Sequence, residues 1–439
     1  MTMETRHLSS FGLAIAVAML VPATARAAIE EVAIPPSREH GLDMIVVDED
    51  AAPPEPELVK GAAAAQVETF GAGPVDPAAP VHHLYLRLAE ELGQYRGRWG
   101  KLPQVRIGGA GAVTAKDPRL PVLRERLGLA RAGGLDKTVR ARLVAFQKAH
   151  GLPANGQADS QTLAALDLGA AHYERVIQLN MERARRLPAA PAGKSLLVDA
   201  GAARLWMYED GQPVGSMKVV VGAPATETPM LAAMVRFLNV NPYWNVPPEL
   251  VVKLIAPKVL AQGMTYLSER RYQVLDSWRD DAGVVDPATI DWAAVQRGEV
   301  ELRVRQLPGG GNSMGAVKFM MPNSYGIYLH DTPNKALFDG DERWVSNGCI
   351  RVEDARRLAA WLYGDLPVAA SADIEERVDL VKPVPVYVTY FTVDAEGQTL
   401  AFRKDRYDRD SRLLARFPSE AKPPVDRDEE FRRLMTLGG

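Results

Sequence analysis

Cysteine is almost missing from this 439-residue chain, and Cys349 is the only one. No internal disulfide can form, so stability has to come from a packed core. An excess of one charge is missing as well: 52 lysines and arginines face 55 aspartates and glutamates, a net charge of −3, with no basic block. That balance argues against a nucleic-acid partner, which calls for a cationic stripe. Past the N-terminus, long apolar runs are lacking. The longest, such as 217–222, are strand-sized and interrupted by Lys218, so no transmembrane segment is expected in the mature chain. The seven histidines are scattered, and after His172 only His330 remains. One histidine and one cysteine in that stretch rule out a Cys/His zinc site there, and no motif suggests a carboxylate-only metal site.

Residues 1–27 have the layout of a secretory signal. Arg6 and His7 lie in a polar start, Phe11 to Val21 is apolar, and Ala25-Arg26-Ala27 offers a small-x-small cleavage site. The expectation is a soluble exported protein, with the signal either cleaved or kept as an anchor. An unpaired cysteine in an exported protein is a liability unless it has a task. Cys349 sits in the turn Ser346-Asn347-Gly348-Cys349, nineteen residues after His330. A lone thiol with a lone imidazole reads as a nucleophile and its base, since thiolate attack needs a proton acceptor. The alternative is a buried free cysteine, a common fate of that residue.

Residues 28–80 are rich in Ala, Pro, Glu and Asp without periodicity, and read as a flexible tether. Leu84, Leu86, Leu88, Leu92 and Tyr95 begin a helical scaffold expected over 84–190. Within it, 117–168 reads as a small three-helix unit. Val122 to Leu127 opens one helix, Thr138 to Ala149 forms the second, and Ser160 caps a third running to Leu166. The order Leu-Arg-x-Arg-Leu, Ala-Phe-Gln-x-x-His-Gly-Leu and Gln-Thr-Leu-x-Ala-Leu resembles the peptidoglycan-binding-like module of bacterial wall enzymes, which serves either as a ligand site or as a spacer. Tyr173 to Leu187 is a further helix.

From Lys194 the texture turns β-rich, with a hairpin at Glu209-Asp210-Gly211-Gln212, Asp-Gly being a strong turn pair. The pattern breaks into helical pieces over 246–302, read as an insertion placed as a lid over a site. The domain is expected over 194–407, and 408–439 as a charged surface tail.

Ile327-Tyr328-Leu329-His330-Asp331-Thr332-Pro333 followed by Arg343-x-x-Ser346-Asn347-Gly348-Cys349-Ile350-Arg351-Val352 resembles the signature of the L,D-transpeptidases, the YkuD-type catalytic domain, in its YcbB-like subfamily. Supporting runs are 241–248, 308–315 and Lys318-Phe319-Met320-Met321-Pro322. The resemblance implies a multidomain α+β protein whose catalytic domain is β-sandwich-like. It implies no cofactor, a periplasmic location, susceptibility to carbapenems, and peptidoglycan stem peptides as both donor and acceptor, joined in the 3→3 manner. In that scheme Cys349 is the nucleophile and His330 the base. His330 is oriented by Asp331 through either its side chain or its backbone carbonyl, the family favouring the latter. The Asn347-Gly348-Cys349 turn supplies oxyanion N–H donors, Gly348 letting the backbone approach closely.

Further candidates for substrate contact are Tyr328, Ser346, Asn347, Arg351 and Trp244. Four of them have a plainer reading: an inner aromatic for Tyr328, a hydrogen bond within the turn for Ser346, an ion pair for Arg351 and core packing for Trp244. Many family members carry a second histidine where Asn347 stands, which leaves His330 as the only imidazole. Two other functions fit the same residues: hydrolysis of the acyl-enzyme, as an L,D-carboxypeptidase or amidase, and non-catalytic wall binding through 117–168.

Overall fold

The computed structural model describes residues 80–416 apart from 280, 366, 368–370, 372 and 395–399. The signal (1–27), nearly all of the tether and the tail beyond 416 lie outside the described residues.

Helix α1 (His83–Tyr95) buries Leu84, Leu88, Leu92 and Tyr95, a stripe at helical spacing, while Leu86, two residues from its neighbours in that set, falls off the stripe and is exposed. Then come α2 (Leu120–Arg126), α3 (Lys137–Ala149) and α4 (Ser160–Arg185). Asp136 caps α3 by accepting the Thr138 and Val139 N–H groups and also holds Arg124 of α2 at 2.9 Å. The cap of α4 is Asp159, which accepts from Thr162, rather than the expected Ser160. At Gly169 (φ 79°) α4 breaks, in a conformation that costs glycine little, so the two expected helices meet end to end.

The β-rich part is β1 (Lys194–Asp199), β2 (Arg204–Glu209), β3 (Gln212–Gly222), β4 (Leu231–Val240), β5 (Trp244–Val246), β6 (Tyr272–Leu275), β7 (Val284–Val285), β8 (Arg303–Gln306), β9 (Val317–Met320), β10 (Leu329–His330), β11 (Trp344–Ser346), β12 (Ile350–Val352), β13 (Glu376–Thr389), β14 (Val393–Asp394) and β15 (Ala401–Phe402). Nine strands form one sheet in the order β11-β3-β12-β10-β9-β4-β13-β1-β2. The early part of β3 pairs with β2 and its end with β12 and β11. The expected sandwich-like arrangement is therefore one sheet brought back on itself by an eleven-residue strand. Asp210 and Gly211, both at positive φ, make the β2–β3 turn.

Within 246–302, β6 and β7 join β5 and β8 in a separate four-stranded sheet. Its buried residues, among them Leu250, Ile255, Val259, Trp292 and Val295, run on without a break into the core under the large sheet. The insertion is thus an extension of the domain core.

The described start of the tail, and Tyr407 just before it, depart from expectation. Tyr407 is buried and donates to the Gly222 carbonyl at 2.7 Å, and α5 (Arg409–Arg416) packs against α4. Asp410 is buried against Arg183 at 2.6 Å, while Glu227 takes Arg409 and Arg412. Charges that read as a solvated surface are instead paired, which is what permits their burial.

Candidate active site

Four strands set the site. β10 and β12 run parallel, Leu329 opposite Ile350 and His330 opposite Arg351, and the Ile350 N–H donates to the Tyr328 carbonyl at 3.1 Å. Side chains alternate along a strand, so Leu329, Ile350 and Val352 turn into the core, each 0% exposed. The other face receives Tyr328, His330, Cys349 and Arg351. On the far side of β10, β9 places Lys318 opposite His330, and β4 places Asn239 opposite Lys318. Asn239, Lys318, His330 and Arg351 thus form one cross-strand row.

Cys349 is 7% exposed and His330 2%. Burial pushes the thiol up to about 11, against hydrogen bonds from the Tyr328 backbone and hydroxyl and the charges of Lys318 and Arg351. Burial also lowers His330 to about 3; Arg351 adds to this, the Asp331 hydrogen bond opposes it, and Lys318 adds further. His330 Nδ1 lies 2.6 Å from the Asp331 carbonyl, which can only accept. The proton is therefore on Nδ1, leaving Nε2 as the basic nitrogen. At neutral pH the pair rests as thiol and imidazole, not as an ion pair.

Asp331 settles as an orienter through its backbone. Its carboxylate points elsewhere, to Lys335 at 2.7 Å and the Ala316 N–H at 2.9 Å. A side chain at Gly315 would run into that carboxylate.

The cysteine turn is held from within. Ser346 Oγ accepts from the Gly348 N–H (3.0 Å) and donates to the Cys349 carbonyl (2.7 Å), which leaves it no part in positioning His330. The Gly348 N–H, expected among the oxyanion donors, is therefore already engaged. What Gly348 supplies is its φ of 108°, which turns the chain into Cys349. Asn347 is half-buried in the same turn. Thr228, which the sequence reading passed over, donates to the Gly348 carbonyl (2.7 Å) and accepts from the Gly222 N–H (2.9 Å), clamping the turn to β3. Tyr328 is an inner aromatic with its hydroxyl 3.5 Å from the Met314 sulfur. Trp244 is 9% exposed in the core, 6.2 Å from the Tyr272 ring, and packs the insertion rather than lining the row. Among the described residues no group of three or more His, Cys, Asp or Glu side chains gathers as a metal would need.

Residues 193–388 match the family described as "L,D-transpeptidase catalytic domain" and residues 126–166 the one described as "Putative peptidoglycan binding domain". A curated protein of Haemophilus influenzae, "Putative L,D-transpeptidase", is 32% identical over 244 residues, which are 54% of this chain and 48% of that protein. The chain thus spans about half the length of that relative. An L,D-transpeptidase from Mycobacterium smegmatis is similar at 15% identity over 46% of this chain and 60% of its own, with a TM-score of 0.23. L,D-transpeptidase 3 from Mycobacterium tuberculosis, solved with a faropenem-derived adduct, is 16% identical over 46% of this chain and 62% of its own, with a TM-score of 0.24. The chain therefore carries a YkuD-type L,D-transpeptidase catalytic domain preceded by a peptidoglycan-binding domain.

Proposed function

We propose that this protein is a periplasmic L,D-transpeptidase that makes 3→3 cross-links between peptidoglycan stems through an acyl-enzyme on Cys349. The observation that carries the reading is the locked tautomer of His330, whose basic Nε2 belongs to a side chain on the same sheet face as the only thiol.

His330 Nε2 takes the thiol proton as Sγ attacks the carbonyl between the third residue and the terminal D-alanine. The oxyanion takes its hydrogen bonds from the Asn347 and Cys349 N–H groups, and the Tyr328 hydroxyl turns from the Met314 sulfur to add a third. The C–N bond breaks, His330 returns the proton to the departing alanine amine, and a thioester remains on Cys349. The side-chain amine of a neighbouring stem's third residue then attacks, losing its proton to His330, and the thiol is regenerated. No cofactor enters this sequence.

Incubation with purified walls, followed by muramidase digestion and mass spectrometry, tests it. Wild type should give 3→3 dimers, and Cys349→Ala or His330→Ala should lower their yield by at least about 10³-fold while leaving the fold intact. Trimmed monomers without dimers would instead identify a hydrolase, and unchanged walls would leave only wall binding.

A further inference from the structure

Two cations flank the base. Lys318 and Arg351 stand in register on either side of His330, on the face that bears the thiol. Among the described residues, neither the Lys318 ammonium nor the Arg351 guanidinium donates a hydrogen bond or makes an ion pair. The buried Arg351 Nε has no partner, and Lys318 Nζ rests 5.0 Å from the centre of the Tyr328 ring. Neither neighbouring carboxylate is bonded to either cation. Asp331 is held by Lys335 and Ala316, and Glu375 accepts the Tyr243 N–H at 2.8 Å, acting on Lys318 only through space. Cys349, Tyr328 and His330, the other titratable groups on this face, are uncharged at neutral pH. Two desolvated cations with no anion between them form a site that an incoming anion completes.

We propose that Lys318 and Arg351 form a carboxylate-binding site beside the Cys349 thiol, with Lys318 as its specificity-determining residue. Assigning the carboxylate to a stem peptide rests on the transpeptidase reading; the anion site itself does not. A donor stem carries two carboxylates near the reacting carbonyl, that of the terminal D-alanine and that of the third residue's side chain, and both share the chemistry the site takes.

The test uses the full chain and the rates at which iodoacetate and iodoacetamide alkylate Cys349. Taking the ratio of the two removes any change in thiolate fraction. Relative to wild type, Lys318→Met should lower the iodoacetate-to-iodoacetamide ratio by about tenfold and Lys318→Arg should restore it. Equal ratios in wild type and Lys318→Met would overturn the site. A measurement on wild type alone guards against a misfolded variant: D-alanine should slow alkylation where D-alaninamide at the same concentration does not, and equal protection would overturn the proposal. Tetrapeptide donors amidated at one carboxyl or the other then separate the two sources. The donor whose KM rises in wild type but not in Lys318→Met names the carboxylate, and no such difference for either would overturn the assignment to stem peptides. Alkylation needs no turnover, so a chain that alkylates as expected but makes no cross-links would keep the anion site and lose the transpeptidase reading.

Discussion

His330 and Asp331 are adjacent, yet only a carbonyl of the second serves the first. Because the Asp331 carboxylate is engaged by Lys335 and Ala316, Asp331→Asn should leave the orientation of the imidazole intact. Its rate of acylation by a carbapenem should stay within about fivefold of wild type, the loss of an ion pair open to solvent on its lysine side being worth about 1 kcal/mol. With the imidazole lowered to about 3 and the thiol raised to about 11, both partners keep their protonation from pH 5 to 9. Wild type and variant should therefore share a profile without an inflection near 6.5, measured by intact mass on quenched samples. An inflection there would mean that a histidine of ordinary pKa is the base. The sequence made Cys349 and His330 legible because each is alone of its kind after His172. It left Lys318 unread, since a lysine in a run of apolar residues passes for the solvent side of a strand; only the register with His330 reveals what that side faces. Thr228 had no signal at all, its role being set by a turn 120 residues away.

At the scale of elements, short-range chemistry was the readable part. Asp210-Gly211 announced the β2–β3 hairpin, and periodic leucines announced α1. Closure of the sheet through β3 was not readable, because pairing between distant strands leaves no local mark. The insertion was visible as a break in texture, but its shared core was not. β5 and β8 pair directly, with Val246 opposite Val304, so a short turn can join the two strands once 247–302 is removed. If the insertion serves as a lid, such a variant should still be acylated at Cys349. It should hydrolyse the thioester more and transfer less, because acceptor contacts and water exclusion go together. The measurement is the ratio of 3→3 dimers to trimmed monomers, and an unchanged ratio in a soluble variant would sink the lid. Loss of acylation together with the native circular-dichroism signal would show instead that the shared core dominates.

Across the whole molecule, the helical unit and the sheet meet in a second core. His150 lies at its centre, stacked on Phe146 at 3.8 Å and on Phe402 of β15 at 5.3 Å, with Tyr95 and Tyr173 beside it. Burial lowers its pKa to about 3, and His82 to about 4. In the unfolded chain these imidazoles titrate near 6.5. Between the two values the unfolded chain binds protons that the folded one refuses, so stability is complete above about 6.5 and falls as the pH drops. His150→Gln should therefore lose less stability than wild type on going from pH 7.5 to 5, by about 1.4 kcal/mol for each pH unit below 6.5. Urea midpoints at the two pH values measure this, and an equal loss in both proteins would refute it. The same shared core bears on cooperativity. Leu197, Trp206, Tyr208, Phe391 and Phe402 of the catalytic half are buried in one cluster with α1, α3 and α4. Cutting the chain between the two halves would uncover a contiguous aromatic face, so neither half is a self-sufficient folding unit. The helical half and the sheet-bearing half should therefore melt together, so that a lesion in one is felt as lost protein in the other.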